Sequence, residues 1–281
     1  MIGMTVRVIS NPAAIGTLLA AGFVSLVALC VLPAHADDLQ PICSDRPGRG
    51  TGACTVETGH WQVELGLWDT TFQHRAGITT DVTSAADPAI KYGVNEAIDV
   101  EASIAFYQAL RIHGAGSSQT FSGVGDLFLH AKWNPDHASG DAAFSLVFDP
   151  FVKLPTASAG LGNGAAEGGL LIPMSWEIGG GWALQSTPEA DVMLNEVGIG
   201  YHANLVDVIG LSRDLEGGFN LGGEIWTNQN IDPAGTMSQY SAGLTLAWQS
   251  DPDNQIDGGF AIGLNRQTPD LELYVGISRR F

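Results

Sequence analysis

Acidic, basic and aromatic side chains recur at every second position in three stretches of the chain, residues 97–107, 126–134 and 144–154. Successive side chains of a β-strand point to opposite faces, so this spacing collects ionisable groups on one face and apolar residues on the other. Such a face could conduct charged solutes or hold itself together through ion pairs. The predicted polar lining consists of Asp99, Glu101, Tyr107, Asp126, His130, Lys132, Asp149, Phe151, Lys153, Glu177, Glu189, Asp191, Glu224 and Trp226.

Nucleophilic catalysis is a second chemistry that these residue types could support. Ser103 or Ser145 with His130 and Asp126 would supply a nucleophile, a base and an orienting acid. However, Asp126 and His130 lie four residues apart in one strand, about 13 Å at the usual rise. The chain also lacks a G-x-S-x-G motif. We therefore predict that the protein is not an enzyme, and keep a lipid-acting enzyme as an alternative.

Two cysteines, Cys43 and Cys54, lie in a Gly-, Pro- and Arg-bearing segment without strand periodicity. In an oxidising compartment such a pair is expected to form a disulfide. A metal pair would need further His or Cys ligands at short spacing, and neither cysteine has one nearby. The histidines show no metal-ligand spacing either. The sequence predicts neither a metal site nor a cofactor.

The charge balance excludes one class of partner. Thirty acidic and twelve basic residues give a formal net charge of -18. Nucleic-acid binding needs a basic surface to neutralise phosphates, so no nucleic-acid role is expected.

The N-terminus indicates export. An apolar stretch from about Ile15 to Leu32 is followed by Pro33 and by Ala34-His35-Ala36. This layout is typical of a secretory signal with an A-x-A cleavage site, and residues 1–36 are predicted to be removed. Read as a membrane anchor, the stretch could just span a bilayer, but no basic residues flank its end. Residues 37–59 are then a short periplasmic segment with the cysteine pair.

From residue 60 onward the chain is predicted to form twelve strands. Connections alternate between short turns and longer Gly/Ser/Thr-rich loops, which favours an antiparallel up-and-down transmembrane β-barrel over residues 60–281 with both termini periplasmic. The predicted strands are 60–73, 86–94, 97–107, 124–134, 142–154, 168–178, 181–193, 197–208, 217–228, 238–249, 255–265 and 270–281. The longer connections are predicted at 74–85, 108–123, 155–167, 194–196, 229–237 and 266–269, opposite short turns that include one near Arg213-Asp214.

Five tryptophans, which start or end predicted strands on the short-turn side, favour the same fold. Trp concentrates at membrane interfaces, so these residues are predicted to form a girdle facing lipid. A soluble sandwich with scattered core tryptophans is the alternative. The girdle residues are Trp61, Trp133, Trp176, Trp182 and Trp248.

The last strand resembles the assembly signal of bacterial outer-membrane proteins. It carries Tyr274 and Gly276 and ends in Phe281, although Arg279 stands where that signal has a hydrophobic residue. The resemblance implies that the barrel-insertion machinery reads this strand by pairing with it.

Three further motifs resemble the outer-membrane family named for the meta-pathway of phenol degradation. They are Asp45-Arg46-Pro47 with Thr55–Glu64, Phe151-Val152-Lys153-Leu154-Pro155-Thr156, and Gly168-Gly169-Leu170 with Pro173. The resemblance covers most of the mature chain. It implies an outer-membrane channel or transporter linked to aromatic or otherwise hydrophobic compounds.

The lining suggests how a channel would work. Because a charge at the lipid midplane costs roughly 2–4 kcal/mol, the ionisable residues should face the interior. A mostly acidic lumen, with Tyr107, Phe151 and Trp226 as aromatic contacts, would conduct small solutes and favour cations. Alternatively, these charges only pair with one another, or the barrel presents its outer loops without transport. Other expected partners are membrane lipid and lipopolysaccharide, which acidic outer turns such as Asp232-Pro233 could contact through divalent cations.

Overall fold

The computed structural model describes residues 40–114, 116–136 and 142–281. The predicted signal peptide lies outside the described residues. The strand segments are β1 (Trp61–Arg75), β2 (Ile78–Asn95), β3 (Ile98–Ile104), β4 (Tyr107–Gly114), β5 (Ser117–Gly123), β6 (Leu127–Trp133), β7 (Phe144–Leu146), β8 (Asp149–Leu154), β9 (Glu167–Leu171), β10 (Met174–Gly179), β11 (Trp182–Ser186), β12 (Glu189–Leu194), β13 (Tyr201–Leu215), β14 (Phe219–Asp232), β15 (Gly235–Asp251), β16 (Asn254–Gly263) and β17 (Leu271–Arg280).

These segments make a closed cylinder. Five strands are interrupted for two or three residues, so that β3 with β4, β5 with β6, β7 with β8, β9 with β10, and β11 with β12 are halves of one strand each. The described residues therefore form twelve antiparallel strands. Pairing of β17 with β1, from Arg280 opposite Gln62 to Leu271 opposite Phe72, closes the sheet. The predicted twelve-stranded antiparallel barrel is confirmed.

Burial is inverted relative to a water-soluble protein. Lys91, Lys132 and Gln62 are among the largest fully buried side chains, whereas Ile209 is 53% exposed and Leu244 is 50% exposed. In water this arrangement would leave apolar surface hydrated and charges desolvated, both unfavourable. A lipid environment outside and a polar interior remove both costs. The sandwich alternative is wrong, because the apolar register lies outside the cylinder rather than between two sheets.

The two ends of the barrel differ. We call base the end at which β1 begins and β17 ends, and mouth the opposite end. Connections at the base are 96–97, 134–143, 180–181, 216–218 and 252–253. Connections at the mouth are 76–77, 115–116, 155–166, 195–200, 233–234 and 264–270.

Several predicted connections are strands instead. Residues 78–85, 108–114 and 117–123 continue the sheet, as do most of residues 229–237. Strands that project beyond a lipid layer meet water on both faces, so these polar sequences do not alternate with apolar residues. Polarity without alternation is also typical of loops, which is why the prediction was wrong here. Likewise, the turn predicted near Arg213-Asp214 lies at 216–218, where Gly217 and Gly218 adopt positive φ.

Tyr107 does not face the lumen as predicted. The alternation of three neighbouring strands reverses at a shared irregular step formed by Leu67, Ala86 and Phe106. There β1 shifts register against β17, and Ala86 has a φ of 49°. Beyond the step, Tyr107 lies in register with Ala85, which pairs with the exposed Trp68. Tyr107 is 43% exposed on the outer face. A bulge that turns the strand's faces has no signature in a period-two pattern.

The five predicted girdle tryptophans all lie near the base. Trp61, Trp133, Trp182 and Trp248 are exposed by 37–52% on the outer face. Some of these tryptophans pack against aromatic neighbours. The ring centroids of Trp61 and Tyr92 are 4.7 Å apart, and those of Trp176 and Phe144 are 5.4 Å apart. The described residues contain no helix with the length and apolar composition needed to cross a membrane.

The lipid-facing assignment predicts a depth-dependent cost of charge. Leu244 lies midway along β15 on the exposed face, and Ser250 lies on the same face beyond Trp248. We expect Leu244→Arg to lower the free energy of unfolding by about 2–4 kcal/mol in lipid vesicles, and Ser250→Arg to lower it by less than about 1 kcal/mol. Urea titration of the folded barrel in vesicles measures both. Equal costs for the two variants would contradict the predicted orientation.

Candidate functional site

The segment before β1 lies inside the cylinder. We call residues 40–58 the lumenal segment. It begins at the base, where the Ile42 amide donates to the Pro252 carbonyl, and returns there, where Thr58 bridges Gly93. Between these points it reaches the inner wall of distant strands, because Gly50 lies against Val208 of β13. Sequence analysis placed residues 37–59 in the periplasm; the structure places residues 40–58 within the base half of the lumen.

A disulfide closes the lumenal segment into a ring. Cys43 and Cys54 are joined, with Cα atoms 6.0 Å apart, and the residues between them form the tip. The Gln62 side-chain amide donates to the Cys43 carbonyl at 2.6 Å, which ties the ring to β1. The disulfide therefore restricts the backbone of the tip, whose side chains face the inner wall of the barrel.

Asp45 holds one side of the tip. Its carboxylate pairs with Lys91, and with Lys132 at 2.5 Å. Lys91 also pairs with Glu64 at 2.5 Å. Burial opposes ionisation of Asp45, but the two ammonium groups outweigh burial and hold the pKa of Asp45 well below its usual range. Asp45 therefore stays ionised, and its stabilising contribution is lost only when the pH falls below the usual aspartate range towards this depressed pKa.

Two arginines hold the other side. The Arg46 guanidinium donates to Asp257 of β16 at 3.0 and 3.1 Å. Arg49 pairs with Glu272 of β17 and lies 4.3 Å over the Trp226 ring, a cation–π geometry. Bidentate or stacked arginine contacts fix orientation as well as charge. Ion pairs thus tie the tip to four different strands, and the Trp226 contact adds a fifth.

Gly276 is required for this arrangement. A Cβ at Gly276 would lie 2.4 Å from Arg46 Nε and Nη2. The glycine therefore makes room for the arginine above the wall of β17. It was predicted as part of a C-terminal assembly signal, and the structure gives it a role in packing as well.

A cavity of about 480 Å³ remains beside the lumenal segment. One side is the segment itself, and the other is the inner wall of β10 to β15. Small or polar residues such as Gly210, Gly222 and Thr245 line this wall. The segment therefore fills one side of the base half and leaves an open space of mixed polar and apolar lining on the other.

A second ionic cluster lies towards the mouth. Lys153 pairs with Glu167 at 2.5 Å and with Asp126 at 3.5 Å, and it donates to Asn163 in the connection 155–166. The Ala157 amide also donates to Asp126 at 2.8 Å. This cluster ties the longest mouth connection to the inner wall.

A continuous inward row crosses the wall between the two clusters. Direct cross-strand partners are Glu101 with His130, His130 with Phe151, Phe151 with Gly169, Gly169 with Asp191, and Asp191 with Asn204. The His130 and Phe151 rings stack with centroids 5.2 Å apart. We call these six residues the lumenal row.

The predicted lining thus falls into distinct places, and Tyr107 alone of the fourteen lies on the outer face. Asp99 accepts from the Val56 amide of the lumenal segment at 2.8 Å, and Glu224 accepts from the Arg49 amide at 3.1 Å. Asp149 pairs with His130 at 3.2 Å. Glu177 lines the base cavity, and Glu189 lies beside Asp191. All three lysines of the described residues are ion-paired.

Sequence reasoning missed several members of the site. Lys91, Asp257 and Glu272 lie on the inner face of strands with regular alternation, so a register count could have found them. Arg46 and Arg49 gave no such signal, because the segment that carries them has no periodicity. Ser145 lies on β7, which pairs with β10. Of the other residues of the alternative triad, Asp126 pairs with Lys153, whereas His130 pairs with Asp149.

Comparison with known proteins agrees with this geometry. The family described as "Putative MetA-pathway of phenol degradation" matches residues 44–281, which include nearly all of the lumenal segment and the whole barrel. The chain belongs to this family. Its recognition from the three motifs is confirmed, and the chain is an outer-membrane β-barrel. No curated protein gives a significant match.

Solved structures show the same fold as this member of the phenol-degradation family. The COG4313 outer membrane channel from Pseudomonas putida F1 has a TM-score of 0.65 at 14% identity, covering 84% of this chain and 100% of that one. The β domain of the Bordetella autotransporter BrkA has a TM-score of 0.50 at 13% identity, covering 80% and 100%. The translocator domain of autotransporter NalP from Neisseria meningitidis gives 0.50 at 13%, covering 80% and 90%.

Proposed function

We propose that the protein is an outer-membrane channel that passes small solutes through its lumen, beside the lumenal segment. The observation that carries this proposal is the cavity of about 480 Å³, lined by both polar and apolar residues, between the segment and the wall of β10 to β15. A barrel that only anchored loops would have no need of an unfilled interior. Family membership and the fold shared with an outer membrane channel support the same function.

The charges of the lumen favour cations. Lys91 and Lys153 each pair with at least two acids, and Lys132 pairs with Asp45. Arg46 and Arg49 pair with acids of the wall. Acids outnumber bases among inward residues, so the remaining field is negative. A low-dielectric wall strengthens that field for a permeating ion.

Cation preference is the direct test. In planar bilayers with a tenfold KCl gradient, we expect a reversal potential on the cation-selective side, with a permeability ratio of potassium to chloride of about 3 or more. Glu216→Gln, in the exposed base connection 216–218, serves as a control, and its effect should be small. Absent conductance would contradict the channel, whereas anion preference would contradict only the role of the acidic lining.

The solutes proposed are small and hydrophobic or aromatic. Phe128, Phe151 and Trp226 supply aromatic surface within the ionic lumen, with the Phe128 and Phe151 rings 6.3 Å apart. Rings of this kind contact apolar solutes while neighbouring acids keep the path wet. The family's description, which refers to phenol degradation, agrees with this solute class.

The membrane environment follows the same proposal. We place the base in the periplasm, the mouth outside the cell, and the five base tryptophans at the inner lipid interface, with membrane lipid and lipopolysaccharide as surroundings. The Phe281 amide donates to the Trp61 carbonyl at 2.7 Å, so the last strand closes the barrel against the first. Recognition of Tyr274, Gly276 and Phe281 by the insertion machinery would precede this closure. The Cys43–Cys54 bridge would persist in the oxidising periplasm.

A further inference from the structure

Two inward carboxyl groups of β12 lie without a cationic partner among the ion pairs of the described residues. Glu189 and Asp191 are two positions apart on the same face of β12, and both side chains are partly buried. Two carboxylates this close repel each other when both are ionised. A bound cation would neutralise this repulsion.

A buried amide is turned into the same cluster. Asn204 is 5% exposed, and its Nδ2 donates to Asp191 Oδ2 at 2.9 Å. Asn204 Oδ1 and Asp191 Oδ1 are both buried, and neither has a hydrogen-bond partner. A buried acceptor without a donor is destabilising. The cluster therefore has more oxygen acceptors than hydrogen-bond donors, so a ligand that donates hydrogen bonds would fit it.

Aromatic surface lies next to these acceptors in the lumenal row. Gly169 separates Phe151 from Asp191 and contributes no side chain. A Cβ at Gly169 would lie 2.2 Å from Asp191 Oδ1 and 2.8 Å from Phe151 Cε1, so the carboxylate and the ring meet over the glycine. His130 stacks on Phe151, and Phe128 extends the aromatic surface on its other side.

The donor set does not suit a metal ion. Within the described ranges, no three His, Cys, Asp or Glu side chains are grouped to hold one. Calcium takes six to eight oxygen ligands, which two carboxyls and one amide do not supply. A primary ammonium needs about three acceptors and is also attracted to an aromatic face.

We propose that Glu189, Asp191 and Asn204, together with Phe151, form a binding subsite for arylalkyl ammonium solutes. The ammonium group sits among the three oxygen-bearing side chains, and the aryl group packs along Phe151 and Phe128. This subsite rests on the proposed channel function, for which it defines a solute class. It lies on the wall between the mouth and the lumenal segment.

The test is solute binding to the purified barrel in detergent, which needs no passage. Isothermal titration calorimetry with 2-phenylethylammonium is expected to show saturable binding with a Kd in the millimolar range or tighter. The anion 3-phenylpropionate and the neutral 2-phenylethanol should bind at least tenfold more weakly, since neither supplies a cationic donor. Calcium chloride is the competing probe.

Variants locate the subsite. Asp191→Asn is expected to weaken binding of 2-phenylethylammonium at least tenfold and Phe151→Leu severalfold, while Glu216→Gln in the exposed base connection leaves it unchanged. Glu189→Gln provides a second variant if Asp191→Asn does not fold, as judged by heat-modifiable migration. Equal binding of 2-phenylethanol, calcium binding in place of the amine, or an unaffected Asp191→Asn variant would each overturn the proposal. Amine binding by a protein without conductance would overturn only the channel function.

Discussion

Removing residues 44–53 from the lumenal segment, and joining the flanking chain through two glycines, should raise single-channel conductance about threefold or more. The segment occupies one side of the base half, where a twelve-stranded cylinder would otherwise be open, between the filled eight-stranded and water-filled sixteen-stranded cases. The loss of Asp45 leaves Lys91 and Lys132 facing water instead of a packed loop, so the barrel itself should persist. Planar-bilayer recording measures the conductance.

The matched variant keeps the segment at full length. Arg46→Gln with Arg49→Gln removes the pairs to Asp257 and Glu272 and the contact with Trp226, so the tip loses half of its attachments. We expect unstable current levels between those of the native and shortened proteins. If the shortened protein folds, by heat-modifiable migration, and conducts like the native one, the segment does not obstruct the path.

Lys91→Met should destabilise the barrel by about 3–5 kcal/mol. The Lys91 side chain is 1% exposed, and its ammonium group pairs with Asp45, Glu64 and Glu101. Removing one partner of a buried ionic cluster leaves the others desolvated and uncompensated, which costs more than the pair itself contributes. Equilibrium unfolding by guanidinium chloride in vesicles or detergent gives the free energy.

A second substitution separates charge from packing. Because Glu64 is 3% exposed and 2.5 Å from Lys91, Lys91→Met combined with Glu64→Gln should recover roughly half of the loss. Ser250→Arg, on the outer face beyond the lipid, is the control. It leaves the ionic cluster around Lys91 intact, so its change in the free energy of unfolding is the reference for the other variants. A Lys91→Met protein as stable as the native one would mean that water reaches the cluster and that the lumenal segment does not seal it.

Much of the barrel was predictable because its signal is local. A strand between lipid and a polar lumen alternates its side chains, and β6 shows this with Leu129 exposed outside and Lys132 buried inside. Counting positions along the sequence was enough to predict the twelve strands, the tryptophans at one end and the inward charges. The count failed at Tyr107, since a bulge shared by three strands reverses the faces without altering the composition.

The candidate site was only partly predictable because its contacts are not local. Arg46 and Asp257 are 211 residues apart, and neither lies in a motif that names the other. The lumenal row joins residues of six strands whose partnership depends on register and closure. Phe151 and Asp191 meet over Gly169 only because β8 and β12 flank β9.

The sequence is therefore sufficient for the kind of molecule: alternating polarity and family motifs define an outer-membrane barrel. Closure of the sheet decides what fills the interior of the barrel. It brings the acids of β16 and β17 within reach of Arg46 and Arg49, and it draws an aperiodic segment into the lumen because buried charges need partners. The alternation of side chains shows only whether each one faces lipid or the lumen. Ion pairing depends on distances between residues, and these are set only when the chain folds.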